Sequence, residues 1–242
     1  MAVEVVLAIM IITGLAAFGQ TVAGFGFSLL AVPPLGLVID AKDAISVSVI
    51  LLIVNSAMLA WGERQHVEWE AVRALLTGAA PGLPVGLAVI ALTPVRGLRI
   101  ALAIAVVLSV VFLVSGFETS RQSRRVELVG GFFCGLLTTS LNTNGPPAVL
   151  ALQARRMAPE QFRPTTSAVL GLTSFVGALL FALAGRMNGE VGWACLVALP
   201  AMLVGWQVGL KARPRIPATL FRYFVLGLLV VAAGFTFIAA FS

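Results

Sequence analysis

Two short stretches, Gly24-Phe25-Gly26-Phe27-Ser28 and Asn142-Thr143-Asn144-Gly145-Pro146-Pro147, interrupt apolar segments long enough to reach into a bilayer. They stand at corresponding places in the two halves of the chain. A helix interior disfavours such residues, since Gly costs roughly 1 kcal/mol and Pro roughly 3 kcal/mol relative to Ala. Lipid cannot satisfy the main-chain groups that a break releases, so a break at membrane depth must be buried in protein or line a cavity. Matched interruptions in two halves are the sequence pattern expected of a transporter's substrate site.

The rest of the chain agrees with a membrane setting. Of 242 residues 60% are hydrophobic and only 11% charged, with a mean hydropathy of +1.04. Soluble domains carry about 25% charged residues. The charges cluster between long uncharged runs, and no carboxylate falls at the expected middle of a spanning helix. The apolar runs cover approximately 3–39, 44–61, 70–91, 96–116, 126–152, 165–184, 191–210 and 219–240. Most reach the roughly 20 residues that a spanning helix needs. The expected fold is therefore all-α and polytopic.

The first run is too long for one helix and short for two. Broken at Gly24–Gly26, it yields two pieces of modest length. The fifth run breaks at Asn142–Pro147 into a full piece and a stub. Both read as re-entrant hairpins that enter the membrane and return on the same side.

Weak similarity runs in order through both halves. Pro94-Val95-Arg96-Gly97-Leu98-Arg99 matches Pro217-Ala218-Thr219-Leu220-Phe221-Arg222 in Pro-to-Arg spacing, and Gly82 and Gly86 answer Gly205 and Gly209. This predicts repeats over 1–117 and 118–242 within one membrane domain, each a hairpin followed by three spans. An odd number of crossings per repeat makes the repeats inverted. A rival arrangement, with each broken segment as a single span, gives parallel repeats.

Charge chooses between the two. Inversion gathers Arg64, Arg73, Arg121, Arg124, Arg125, Arg155, Arg156, Arg163, Lys211, Arg213, Arg215 and Arg222 on one side, against Lys42, Arg96, Arg99 and Arg186. The parallel arrangement evens this split, so positive-inside bias favours inversion. Both termini are then expected outside a cell membrane. No Lys or Arg precedes Lys42, so the N-terminal segment lacks the basic region of a signal peptide.

Other chemistry finds little support. The net charge of +6 reports orientation rather than nucleic-acid binding. Cys134 and Cys195 have no CxxC spacing, and His66, alone of its kind, lies in a loop without metal-binding partners. Neither a metal nor a cofactor is expected. No GxSxG, HExxH or intramembrane acid pair supports an intramembrane enzyme. No GxxxxGK[ST] supports ATP hydrolysis. The expected partners are a small anion and the bilayer; homo-oligomerisation, transport direction and the coupling ion stay open.

Anion binding is expected from the helix starts after each break. Chains beginning near Phe27 and Pro147 present unpaired N–H groups and the positive end of the helix dipole. Pro146 and Pro147 suit a first helical turn, where a missing N–H is no loss. Gln20, Thr21 and Ser28 add polar groups in the first half, and Asn142, Thr143 and Asn144 in the second. Asn55 and Thr173 occupy equivalent repeat positions within spans. The candidate site thus comprises Gln20, Thr21, Gly24, Phe25, Gly26, Phe27, Ser28, Asn55, Asn142, Thr143, Asn144, Gly145, Pro146 and Thr173. A competing explanation for one glycine motif is close helix packing. Phe25 and Phe27 are read either as walls of a pathway or as lipid-facing rings. Arg99 and Arg222 form a matched pair better explained by snorkelling than by ligation.

Gly24-Phe25-Gly26, Asn144-Gly145-Pro146-Pro147, the duplicated halves and the length together resemble the sulfite exporter TauE/SafE family over essentially the whole chain. The family's segments are often richer in glycine, of GxGGG type; Phe25, Phe27 and Asn142-Thr143-Asn144 depart from that. The resemblance implies transport of sulfur-containing anions such as sulfite, sulfoacetate or other organosulfonates. A channel-like or accessory membrane protein without coupled transport is the alternative.

Overall fold

A computed structural model describes residues 3–115, 123–155 and 157–215. Among them every regular element is a helix: α1 (Val3–Ala23), α2 (Phe27–Val38), α3 (Ala41–Gly62), a 3₁₀ turn (Arg64–His66), α4 (Trp69–Leu92), α5 (Val95–Ser115), α6 (Arg124–Ser140), α7 (Gly145–Gln153), α8 (Pro159–Leu183) and α9 (Gly189–Ala212). Five of these, α1, α3, α4, α8 and α9, are long and apolar enough to cross a membrane. The protein is an all-α, polytopic membrane protein.

Local chemistry sets the helix boundaries. The Asp40 carboxylate accepts from the Lys42 N–H at 2.8 Å and starts α3, and the Asn188 side-chain oxygen accepts from Val191 N–H at 2.8 Å to start α9. Ser123 does the same for α6 through Arg125 N–H, at 3.3 Å. These are side-chain caps for otherwise unpaired first-turn donors. Both expected breaks are present. One departs from expectation: α1 is a full span of 21 residues, and only its return arm α2, with 12, is short. Gly24 and Gly26, with φ of +87° and +100°, end α1 at its own far end and not halfway. The second hairpin has arms of 17 and 9 residues.

Small residues seam the bundle. On α4, Gly78, Gly82 and Gly86 lie against the main chain of Leu128, Phe132 and Leu136 on α6, so closely that an added Cβ would strike a carbonyl oxygen in each case. Gly205 of α9 lies likewise against Gly14 of α1, and Gly209 against Thr21. Residue numbers rise together along both seams, so each pair is parallel. Such close approach of main chains is the usual role of small residues between membrane helices. Between the seams α3 and α8 pack antiparallel: Gly171 lies on Ser56, while the Glu68 N–H, just past the 3₁₀ turn, donates to Thr165 Oγ1 at 2.9 Å.

Contacts at the helix ends define two faces. At one end Arg155, after α7, pairs with Glu127 at the start of α6 and with Glu70 at the start of α4, the latter at 3.3 Å. There too Arg213, after α9, pairs with Glu63, after α3. The Glu127 carboxylate, which Arg155 hydrogen-bonds, holds that guanidinium above its ordinary pKa. At the opposite end Asn188 donates to Asp43, and Arg186 reaches the Ile90 carbonyl. Large apolar side chains exposed on α1, α4, α5, α8 and α9, including Leu7, Ile11, Leu92, Val107, Leu183 and Val204, form the surface a bilayer would cover.

Candidate functional site

The two breaks meet. A Cβ built on Gly145 would lie 3.4 Å from Phe25 Cδ2 and 3.9 Å from the Gly26 nitrogen. Between them is a cavity of about 10 Å³, lined by Gly26, Phe27, Ser28, Leu52, Thr143, Asn144, Gly145 and Leu170 among others. That is the room needed for about one water molecule.

The two helix starts offer different donors. The first main-chain bond into α2 runs from Leu30 N–H to the Gly26 carbonyl at 3.0 Å, which leaves the N–H groups of Phe27, Ser28 and Leu29 ahead of it. In α7 the corresponding bond, from Ala148 N–H to the Asn144 carbonyl, is 3.5 Å. Pro146 and Pro147 have no N–H, so Gly145 alone supplies a first-turn main-chain donor.

Side chains redress this imbalance. Asn144 Nδ2 donates to Thr138 Oγ1 at 3.0 Å and to Thr173 Oγ1 at 3.3 Å, tying the second break to α6 and α8. In the first half Gln20 Nε2 donates to Ser56 Oγ on α3 at 3.0 Å. Asn142 takes the left-handed conformation, φ 51°, which Asn tolerates best after Gly. Several fully buried polar atoms have no protein partner: Gln20 Oε1, Ser28 Oγ, Thr143 Oγ1, and both amide atoms of Asn55 and of Asn142. Buried polar groups are nearly always paired, so the two that line the cavity, on Ser28 and Thr143, call for an explanation.

Most expected site residues therefore fall around one point. Gly26, Phe27, Ser28, Thr143, Asn144 and Gly145 line the cavity; Phe25 packs on Gly145, and Thr173 joins through Asn144. Gln20 is tied to α3 at Ser56, beside Asn55 in the chain. Thr21 stands apart, donating to its own helix at Ala17 O, 2.7 Å, and packing on Gly209 of α9. Pro146 also borders a wider apolar groove of about 650 Å³ between α5, α6 and α7, which Thr143 shares. Gly24 lies beside Arg163 of α8. Phe25 and Phe27 are not lipid-facing rings: Phe27 is buried in the core, and Phe25 packs against a second apolar cluster. Arg222 and the side chain of Arg99 lie outside the described residues.

Thr138, Leu52, Leu170 and Arg163 are neighbours of the site that the sequence did not single out. Thr138 carried a faint signal, six residues before Asn144 on the same hairpin. The others arrive through long-range packing.

The model of the family described as "Sulfite exporter TauE/SafE" matches residues 9–236. The chain belongs to that family. It is also similar to a protein of Cupriavidus necator named "Probable sulfite/organosulfonate exporter TauE", at 28% identity over 228 residues, covering 90% of this chain and 88% of the relative. No solved structure matches. The broken segments accordingly belong to a membrane protein of an exporter family.

Proposed function

We propose that this chain is a secondary transporter or facilitator for a small anion, a sulfur oxyanion or organosulfonate of the sulfite or sulfoacetate type. It works by alternating access around a site between the two breaks. The observation that carries this reading is that two buried hydroxyls without a protein partner, Ser28 Oγ and Thr143 Oγ1, line the gap where the two helix starts meet. Each such group costs about 1–3 kcal/mol if left unmade. An anion accepting from the N–H groups of Phe27–Leu29, from the Ser28 and Thr143 hydroxyls and from the Asn142 amide would remove much of that cost. The dipoles at both helix starts favour the same sign of charge. Sulfur is suggested by the family and by the relative's name.

Residues 1–117 and 118–242 are read as inverted repeats of one membrane domain. This is supported by the opposed directions of α1 and α6, α3 and α8, and α4 and α9, and by the seams, which exchange partners when the halves are swapped. Arg64, Arg73, Arg124, Arg125, Arg155, Arg163, Lys211, Arg213 and Arg215 lie at the end where α4 begins, against Lys42, Arg96, Arg99 and Arg186 at the other. Positive-inside bias then puts the first end in the cytoplasm and the N-terminus outside.

Flux into proteoliposomes, measured across sulfite, sulfoacetate, taurine, sulfate and small carboxylates, tests the reading. Saturable flux with counter-flow is expected for sulfite or an organosulfonate. Linear flux without counter-flow would identify a channel instead, and saturable flux confined to carboxylates would refute the sulfur assignment.

A further inference from the structure

Three half-buried arginines gather at the end of the molecule where α8 begins. Two are neutralised: Arg155 by Glu127 and Glu70, and Arg213 by Glu63. The third, Arg163, has no hydrogen-bond or ion-pair partner among the described residues. The charges that act on it are Arg213, of like sign, and Glu63, already engaged by Arg213. A guanidinium partly withdrawn from water, beside a second cation and with no acceptor, is an unfavourable arrangement.

Its position gives this a meaning. Arg163 lies in the second turn of α8, directly over the first break: a Cβ on Gly24 would come 2.9 Å from Arg163 Cγ and 3.2 Å from its Cβ. Gly24 has φ +87°, a conformation a side chain would strain, and its bareness also leaves room for the arginine stem. From Gly24 the chain passes to Gly26 and the free N–H groups that open α2. The stretch from Gly24 to Leu29 carries no acidic residue. The guanidinium, moreover, presents paired donors matched to two oxygens of a sulfite or sulfonate group.

We infer that Arg163 captures the transported anion at this end of the pathway and hands it to the first break. The inference rests on the transport reading above. Arg155 and Arg213 hold helix ends together, whereas Arg163 is, of these three, the one without a carboxylate partner among the described residues.

The test compares flux started from the two faces, using right-side-out and inverted vesicles with sulfite as the probe. Wild-type flux is measured first; its absence would refute the transport reading itself. Arg163→Gln should raise KM roughly tenfold or more for sulfite presented at the arginine-rich face, with Vmax retained and KM at the other face unchanged. Arg163→Lys should recover most of the loss. In the unmodified protein, KM at that face should rise with ionic strength, and this dependence should vanish in Arg163→Gln. Equal changes at both faces, unchanged KM at the arginine-rich face, or an intact salt dependence in Arg163→Gln would overturn the assignment. If Arg163→Gln fails to reach the membrane, the wild-type salt dependence at the two faces decides alone: equal dependence overturns it.

Discussion

The two breaks meet at one gap but are built with different chemistry. At the first, Gly24 and Gly26 turn the chain through left-handed conformations and expose the N–H groups of Phe27, Ser28 and Leu29. The second turns through Asn142, and Pro146 and Pro147 leave Gly145 as the single first-turn N–H. What it lacks in main-chain donors it supplies in the Asn142 amide and the Thr143 hydroxyl, on a turn that Asn144 ties down. A main-chain donor set is fixed by the helix and indifferent to side-chain substitution. A side-chain set is held by its own hydrogen bonds, here from Asn144 to Thr138 and Thr173, and can be altered one group at a time. Any difference in substrate between relatives of this chain is accordingly expected to reside in the second break.

The largest effect should come from closing the gap between the breaks. Gly145→Leu would drive a side chain into Phe25 and the Gly26 main chain. Transport should be abolished while the protein still reaches the membrane, as followed by flux and by membrane-fraction immunoblot. Normal flux in that variant would mean the breaks do not share a substrate.

Next in size is the contrast between the two donor sets. Asn144→Ala removes the two hydrogen bonds, to Thr138 and Thr173, that hold the second break in place, each worth about 0.5–1.5 kcal/mol. Substrate affinity should fall about ten- to a hundredfold. Ser28→Ala should cost only a few-fold, because the Phe27 and Leu29 N–H groups remain. Measured KM values in the reverse order would break the comparison.

The smallest effect separates turn from donor at Asn142. Asn142→Gly should keep thermal stability, since Gly adopts the left-handed conformation freely. Asn142→Ala should lose about 1–2 kcal/mol. Both remove the same amide, so both should weaken transport by a similar few-fold. Thermal unfolding of the purified variants, set beside their flux, checks the two parts independently.

Much of this was legible in the sequence because glycine, proline and amides are conspicuous in apolar runs. The break positions, their meeting and helix starts near Phe27 and Pro147 all followed from that, the second helix beginning two residues earlier, at Gly145. The depth of the first break did not. Nothing in the run before Gly24 distinguishes a half-length arm from a full span, and α1 is a full span. Thr21 was equally illegible: its hydroxyl looks like a site donor until α9 is seen to claim that face of α1. Arg163 was hidden for a related reason. Among many basic residues near one membrane surface, only the contact between α8 and Gly24, with carboxylates committed elsewhere, sets it apart.

The glycine seams carry a consequence for motion. Each fuses a helix of one half to a helix of the other, α4 to α6 and α1 to α9, with main chains touching. Main chains in such contact cannot slide past one another without separating, so the two halves cannot rock as halves. Under the alternating-access reading proposed above, the moving bodies would be mixed ones: the first hairpin travelling with α9, and the second travelling with α4. The line between those bodies passes through the gap from Gly26 to Gly145. A chain cut at its midpoint would therefore lose both seams at once, and neither fragment would retain a complete moving part.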